Sequence, residues 1–304
     1  MIGSVSVSIA IPFLNAKRTL ADAVRSVFAQ TCADWELILV DDGSVDDSVN
    51  LVRNIDDRRV RVVSDGVNRG LCARLNQIAG LAQGRYLARM DADDLMHPQR
   101  IERQLALLEG NPNVDLVDTA TYTVDDDLTP LGIRGDHPLN CSPENVLRRG
   151  LLIHPTVMGR TEWFLRNPYD PAFVRAEDRE LWIRTCAMTK FARLCEPLFF
   201  YREGLGGNLR NYLRTEATVR DILRGYGPPI VGRWRTLLLV AQSHLKSASY
   251  FLSTKLGLQQ RLIRTRNRPL GVEELQTART TIANILETPV PGLCGVPHQE
   301  EALA

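Results

Sequence analysis

Two hydrophobic periodicities alternate along the first part of the chain. Residues 5–12, VSVSIAIP, alternate and then run apolar, which predicts a strand; TLADAVRSVFAQ (19–30) spaces its apolar residues three and four apart, which predicts a helix. The pair recurs. WELILVDDGS (35–44) reads as a strand ending in acids, DDSVNLVRNI (46–55) as a helix, VRVVSD (60–65) as a strand, GLCARLNQIAGLAQ (70–83) as a helix and RYLARMDADD (85–94) as a strand. QRIERQLALLEG (99–110) adds a helix and leads into DLVDTATYTVD (115–125). This βαβα rhythm predicts an α/β fold whose mostly parallel sheet carries helices on both faces. Ligands of such sheets bind at the carboxyl ends of the strands. Asp41, Asp42, Asp91, Asp93 and Asp94 all fall at such ends and are expected to line one rim.

The later pattern is less regular. Residues 126–143 are rich in Pro, Gly and Asp and read as loop, and HPTVMGR (154–160) reads as a return strand. AEDRELWIRTCAM (176–188) starts with acids that suit a helix N-terminus, and LCEPLFFYRE (194–203) reads as a late strand. After Gly204, Gly206 and Gly207 come longer helical patterns, interrupted at Pro228 and Pro229, and the tail from Thr288 is expected to be unstructured. The expected layout is a catalytic domain over 1–205, a basic helical extension over 206–287 and a tail over 288–304.

Composition narrows the class. A chain of 304 residues that is 44% hydrophobic can bury a substantial core. The net charge of +1 makes no global case for nucleic acid, yet residues 222–272 hold nine Arg or Lys and no acid, leaving 28 basic against 36 acidic residues elsewhere. Six cysteines (Cys32, Cys72, Cys141, Cys186, Cys195, Cys294) show no metal-ligand spacing and read as free thiols of a reducing compartment. The start lacks the pattern of a secretory signal, and no run approaches the roughly 18 apolar residues of a membrane span. A cytoplasmic protein, at most peripheral to the inner face of a membrane, is expected.

The acids carry the candidate chemistry. Three carboxylates crowded after an apolar strand repel one another, so a positive partner is expected beside Asp91, Asp93 and Asp94. Hard cations such as Mg²⁺ or Mn²⁺ bind through one or two carboxylates plus substrate phosphates, which suits Asp91 and Asp93; Asp94 reads as the N-cap of the helix that follows. In Asp41-Asp42-Gly43-Ser44 a carboxylate can accept from the imide N–H of a pyrimidine, although Asp-Gly-Ser is also ordinary turn chemistry. Glu177-Asp178 can either complement a helix dipole or present a general base to a hydroxyl.

Taken in order, the blocks IAIPFLNAKRTLADAVRSVFAQTCADWELILVDDGS, NRGLCARLNQIAGLAQGRYLARMDADD, HPTVMGR, AEDRELW and LFFYR resemble the family 2 glycosyltransferases over residues 5–203. The resemblance implies a GT-A type domain that binds a nucleotide-diphosphate sugar, most commonly a UDP-sugar, and inverting transfer of the sugar to an acceptor hydroxyl. It implies that Pro12 and Asn15 lie in the loop after the first strand against the nucleotide, that Asp42 holds the base with Asp41 beside it, and that Asn68, Gly70 and Arg74 pack around base and diphosphate. It further implies Asp91 and Asp93 as the DXD pair, with Asp93 on the metal, Asp178 as general base with Glu177 as companion, and His154 and Trp182 near the sugar and acceptor pocket. A glycan or lipid-linked acceptor in polysaccharide or glycoconjugate assembly is expected. One departure stands out. Family members often carry a histidine after the tyrosine-arginine pair, whereas Tyr201-Arg202 is followed by EGLGGNL, so the metal would lean on Asp93, phosphates and water, or on His97.

Other readings are a catalytically silent sugar-nucleotide-binding scaffold and a sugar nucleotidyltransferase. The four acids Asp42, Asp91, Asp93 and Asp178 argue against the first, and the lack of a glycine-rich basic loop in IPFLNAKRTL against the second. The basic segment 233–268 reads as a helical subdomain that packs its apolar face on the core and solvates its basic side, with contact to an anionic membrane surface as the other reading.

Overall fold

The computed structural model describes residues 5–203, 209–256 and 266–293. Nine strands, β1 (Val7–Phe13), β2 (Trp35–Asp41), β3 (Val60–Val63), β4 (Tyr86–Arg89), β5 (Leu95–Met96), β6 (Leu116–Val124), β7 (Pro130–Arg134), β8 (Met158–Arg160) and β9 (Phe191–Arg202), form one sheet. Its order is β3-β2-β1-β4-β8-β6-β9-β5, with β7 on β6. The β3-β2-β1-β4 half is parallel, as the periodicity predicts. Beyond β4 the sheet is mixed: β8 runs antiparallel to β4 and β6, β9 parallel to β6, and β5 and β7 are antiparallel additions.

The parallel half is buried on both faces, which is why its strands read as nearly continuous apolar runs. Ile9, Ile11, Leu37 and Leu39 face one core cluster while Ala10, Ile38 and Val40 face the other. Helices α1 (Leu20–Phe28), α2 (Ser48–Arg53) and α3 (Leu71–Leu81) connect these strands, and α4 (Arg100–Gly110) leads from β5 to β6. Because β1, β2 and β4 are parallel, their carboxyl ends share one rim, and the acids that follow β2 and β4 emerge there together.

Several expectations are corrected. Residues 126–143 are not all loop: β7 lies within them, held by β6 and by Arg268, whose N–H donates to Ile133 O at 2.8 Å while its own carbonyl accepts from Ile133 N at 2.9 Å. In HPTVMGR only Met158–Arg160 is strand; His154–Thr156 is a 3₁₀ turn. Two short helices went unread, α5 (Pro143–Arg149), capped by Ser142, and α6 (Thr161–Arg166). The acid-rich helix is α7 (Glu177–Thr185). Pro228 and Pro229 do not interrupt α8 (Leu209–Val231); the two N–H bonds they forfeit fall in its last turn, and the chain breaks at Gly232, whose φ of 81° is left-handed.

The last helices, α9 (Arg233–Lys255) and α10 (Val272–Leu286), join the same body. Val219, Ile222 and Leu223 of α8 enter the core beneath α7, and Ala278, Ile282 and Ile285 of α10 pack on Leu95, Tyr122 and Phe200. The α9 helix turns Thr236, Ser243 and Tyr250 inward and leaves Trp234, Leu237, Leu238, Leu245 and Leu252 exposed, so much of its apolar surface is not the packed one. Residues 288–293, expected as free tail, dock on α2: Asp56 N donates to Pro291 O at 2.9 Å and Val290 packs on the N-terminal core. The rest of that tail, Gly204, Gly206, Gly207, Cys294, and Arg261 and Arg264 of the basic segment, lie outside the described residues. The five described cysteines are free thiols.

Candidate active site

The rim is built outward from the strand ends. Pro12 lies within β1, opposite Val40, rather than in the loop after it. Pairing of β1 with β4 stops at Ala10, so the N–H that proline lacks is not missed on that side. Asn15 follows in the left-handed region (φ 51°), its N–H donating to Ser44 Oγ and its Oδ1 accepting from Val45 N, both at 2.9 Å. Gly43 is also left-handed, and a Cβ there would stand 2.8 Å from Asn68 N, so this turn admits only glycine without rearrangement.

Asp41 and Asp42 point differently. Asp41 accepts from Ser44 N at 2.9 Å and Ser64 Oγ at 2.7 Å; burial alone would raise its pKa, but these bonds outweigh burial and lower it. Oδ1 of Asp42 accepts from Arg69 N, Gly70 N and Arg74 Nε, while Oδ2 takes only Gly70 N at 3.1 Å. Gly70, at φ 82°, turns the chain into α3. Arg74 is 1% exposed and spends its donors on Asp42, Asp65, Gln77 and Val67 O. With five donors all engaged, Arg74 braces this loop and has none left for a diphosphate, which corrects its expected place. Asn68 stays exposed on the braced loop.

The acids after β4 close on one another. Ligand oxygens of Asp91, Asp93 and Asp94 lie within 4.8 Å of each other, the one such cluster among the described residues. The positive partner expected there is Arg89, which is 4% exposed and donates to Asp91 through Nη2, while its buried Nε and Nη1 have no partner among the described residues. Burial works to lower the Arg89 pKa, but Asp91, Tyr169, Glu177 and Asp94 outweigh it and keep the guanidinium charged.

Asp94 is not an N-cap. The α4 helix begins at Arg100, and Asp94 instead accepts from Arg202 N at 2.7 Å with its Oδ2 buried and without a partner among the described residues. Burial, then the charges of Asp93 and Asp91, push the Asp94 pKa well up; Asp93, reachable by solvent but crowded by the cleft wall, is raised by the same desolvation and by Asp91. His97 stacks on Phe200 and stands outside the acid cluster. An oxygen-only donor set with an orphaned buried carboxylate oxygen fits a hard divalent cation, and of the two alternatives His97 is not part of that set.

The second carboxylate pair arrives on the first turn of α7. Glu177 is buried and Asp178 half-buried; desolvation raises both pKa values, and Arg89 pulls both back down. The charge of Asp91 also acts on Glu177, so the two acid groups share one electrostatic neighbourhood centred on Arg89. His154 is buried with its Nε2 2.9 Å from Tyr169 Oη and its Nδ1 4.0 Å from Glu177; burial and then Arg89 hold its pKa well down, so it is neutral. Trp182 does not line an open pocket. It is fully buried, edge-on to His154 at 6.1 Å, and backs that histidine from the core.

A cavity of about 340 Å³ opens at Asp178, lined also by Arg134, Arg149, Arg175, Arg179 and Glu216. Sequence reading passed over Arg89 and Tyr169 and took Asp94 for a helix cap. A lone arginine inside the apolar strand YLAR, directly ahead of three acids, was the available signal for Arg89.

The fold and this rim define a nucleotide-sugar transferase-like α/β protein of the GT-A type. The chain belongs to glycosyl transferase family 2, whose family model matches residues 8–171. EpsE of Bacillus subtilis is 33% identical over 186 residues, 59% of this chain and 66% of EpsE. A UDP-Glc:alpha-D-GlcNAc-diphosphoundecaprenol beta-1,3-glucosyltransferase of Escherichia coli, WfgD, is 29% identical over 178 residues, 58% of this chain and 68% of WfgD. The matched region thus spans about two thirds of the curated relatives. Among solved structures, TarS 1-349 of S. aureus aligns with a TM-score of 0.60 at 13% identity, covering 93% of this chain and 80% of that one, and has also been solved with UDP-GlcNAc. At that identity the likeness shows the fold.

Proposed function

We propose that this chain transfers a sugar from a nucleoside-diphosphate donor to an acceptor hydroxyl with inversion at the anomeric carbon. The observation that carries this reading is the meeting of two carboxylate groups, Asp91-Asp93-Asp94 and Glu177-Asp178, around the buried Arg89. Asp178 takes the proton of the acceptor hydroxyl as that oxygen attacks; desolvation raises its pKa and so its basicity, while the backbone N–H of Arg179 and the charge of Arg89 favour its ionised form. Glu177 and neutral His154 hold the wall beside it. Asp42 turns Oδ2, its less occupied oxygen, toward a base N–H, and the three loops bearing Asn15, Gly43, and Asn68 with Gly70 border the nucleotide. Asp91, Asp93 and Asp94 would hold a divalent cation, Mn²⁺ or Mg²⁺, which when bound stabilises negative charge on the leaving diphosphate.

The donor is read as a UDP-sugar, in line with the UDP-linked donors named for WfgD and TarS. The acceptor is read as a lipid-linked glycan, the class in the name of WfgD. No helix among the described residues is long and apolar enough to cross a membrane. Contact with an anionic membrane surface through α9 would bring the protein to such an acceptor, since its exposed Trp234, Leu238, Leu245 and Leu252 lie among four cations and no acid.

The test is Asp178→Asn. Acceptor-dependent transfer should fall about 10²–10⁴-fold, with UDP affinity by calorimetry unchanged; undiminished transfer would remove Asp178 from the chemistry.

A further inference from the structure

The cavity at Asp178 does not end there. It shares Arg149, Arg179, Glu216 and Val219 with a second cavity of about 480 Å³, whose far wall is Leu239, Gln242, Ser243 and Lys246 of α9. The two make one trench that runs between α5, α7 and α8 from the proposed base to the exposed helix. Its charge is lopsided. Of the cations lining it, Arg134 is neutralised by Glu203 at 2.6 Å and Arg193 by the fully buried Asp118. Arg149, Arg175 and Lys246 have no ion pair among the described residues, and Arg148 faces Glu144 only at 4.0 Å.

Arg179 is the telling residue. It follows Asp178 directly, is half-buried, donates through Nη2 to Leu147 O, and its buried Nε has no partner among the described residues. Its pKa is lowered by burial, with Glu216 and Asp178 only partly offsetting the loss of water. Glu216 is itself engaged by Ser243 Oγ at 2.7 Å. A desolvated guanidinium with an idle donor is costly unless an anion completes it. Arg175, immediately before the Ala176-Glu177-Asp178 turn, is held at φ 70°, a left-handed conformation that costs free energy in a non-glycine residue and recurs at binding sites.

We infer that this trench is an acceptor subsite for a phosphate-linked sugar, with Arg149, Arg179 and Lys246 gripping the phosphate while the sugar hydroxyl reaches Asp178. The inference rests on the transfer reading above and deepens it by naming the anionic group that acceptors must carry. A neutral glycan could reach Asp178 but would leave these cations uncompensated. The trench lies on the α7–α9 side of Asp178, whereas the acid cluster Asp91-Asp93-Asp94 follows β4, so acceptor phosphate and donor diphosphate have separate seats.

The experiment is calorimetric titration of N-acetylglucosamine 1-phosphate into the full chain with UDP and Mn²⁺ saturating, so that the donor side is filled. The methyl glycoside of the same sugar, inorganic phosphate and phosphatidylglycerol vesicles serve as comparisons. The sugar phosphate should bind at least about tenfold tighter than the methyl glycoside or phosphate. Arg149→Gln with Lys246→Gln, both exposed and so compatible with folding, should lose about tenfold of that affinity while UDP affinity stays within about twofold. Equal binding of the methyl glycoside, or no loss in the double variant, overturns the subsite. Inorganic phosphate binding as tightly, or vesicles displacing the sugar phosphate, would make the trench a general anion or lipid-headgroup site and likewise overturn it. Failure of UDP to bind would count against the transfer reading alone, and the sugar-phosphate and methyl-glycoside titrations repeated without UDP would then still decide the trench.

Discussion

At the scale of single residues, Arg89 governs the site by its charge. It lies two positions before Asp91, and its charge stabilises ionised Glu177 and Asp178 while keeping His154 neutral. Replacing it by methionine keeps the volume but removes the cation that favours the ionised base, so the pKa of Asp178 must rise. A base works only when ionised; the acid limb of the kcat/KM profile in Arg89→Met should therefore move to higher pH, by on the order of one pH unit, and Arg89→Lys should restore most of it. An unmoved limb in Arg89→Met would show that its charge does not reach Asp178. The acids themselves were legible in the sequence because they follow strands and open a helix. Arg89 and Tyr169 were not, and Asp94 was taken for a helix cap, because their meaning depends on partners such as Arg202 and His154 that only the fold brings near. Arg74 and Trp182 misled for the opposite reason: their matched positions are real, but Arg74 is consumed by Asp42 and Asp65, and Trp182 by the core.

At the scale of elements, what could be read was what carries its own periodicity. The β1 to α4 succession was legible since each strand is buried on both faces and each helix covers one of them. The two-residue β5 and the five-residue β7 carry no period of their own and exist through Phe199-Phe200 and Arg268. The α9 helix was half legible. Its basic, amphipathic pattern was plain, but which stripe packs inward was not, and the inward one holds Thr236, Ser243 and Tyr250. Trp234, Leu238, Leu245 and Leu252 instead repeat along the outer face, exposed by 81, 61, 70 and 59%. Co-sedimentation with phosphatidylglycerol vesicles tests that face. Wild type should bind and prefer these vesicles to phosphatidylcholine, and Leu238→Asp with Leu245→Asp should cut binding at least about tenfold, given ~1.5–3 kcal/mol for each leucine withdrawn from water. Wild type remaining in the supernatant would remove the membrane from the account.

At the scale of the whole molecule, the acid cluster and global stability are one problem. Asp91, Asp93 and Asp94 converge on a buried strand end that β4, β5 and β9 must fold to create, so the unfolded chain has no equivalent site. Without a cation the folded state bears their mutual repulsion and the desolvation of Asp94, whose Oδ2 goes unpartnered. A cation that binds only the folded chain stabilises it, by ~2.7 kcal/mol at a hundred times its Kd, which in a domain of this size is a rise of several degrees in Tm. Asp94→Asn should uncouple the two effects. An asparagine still accepts from Arg202 N through Oδ1 and brings an amide that can donate to Asp91 or Asp93, so Tm without metal should rise by a few degrees. The same change removes a ligand, so the further rise on adding Mn²⁺ should shrink to less than half that of wild type. Thermal melts of both proteins with Mn²⁺ and with EDTA decide it. Equal Mn²⁺ responses would take Asp94 out of the cation site, and a metal-free Asp94→Asn melting below wild type would mean that the carboxylate is held by contacts stronger than the repulsion it suffers.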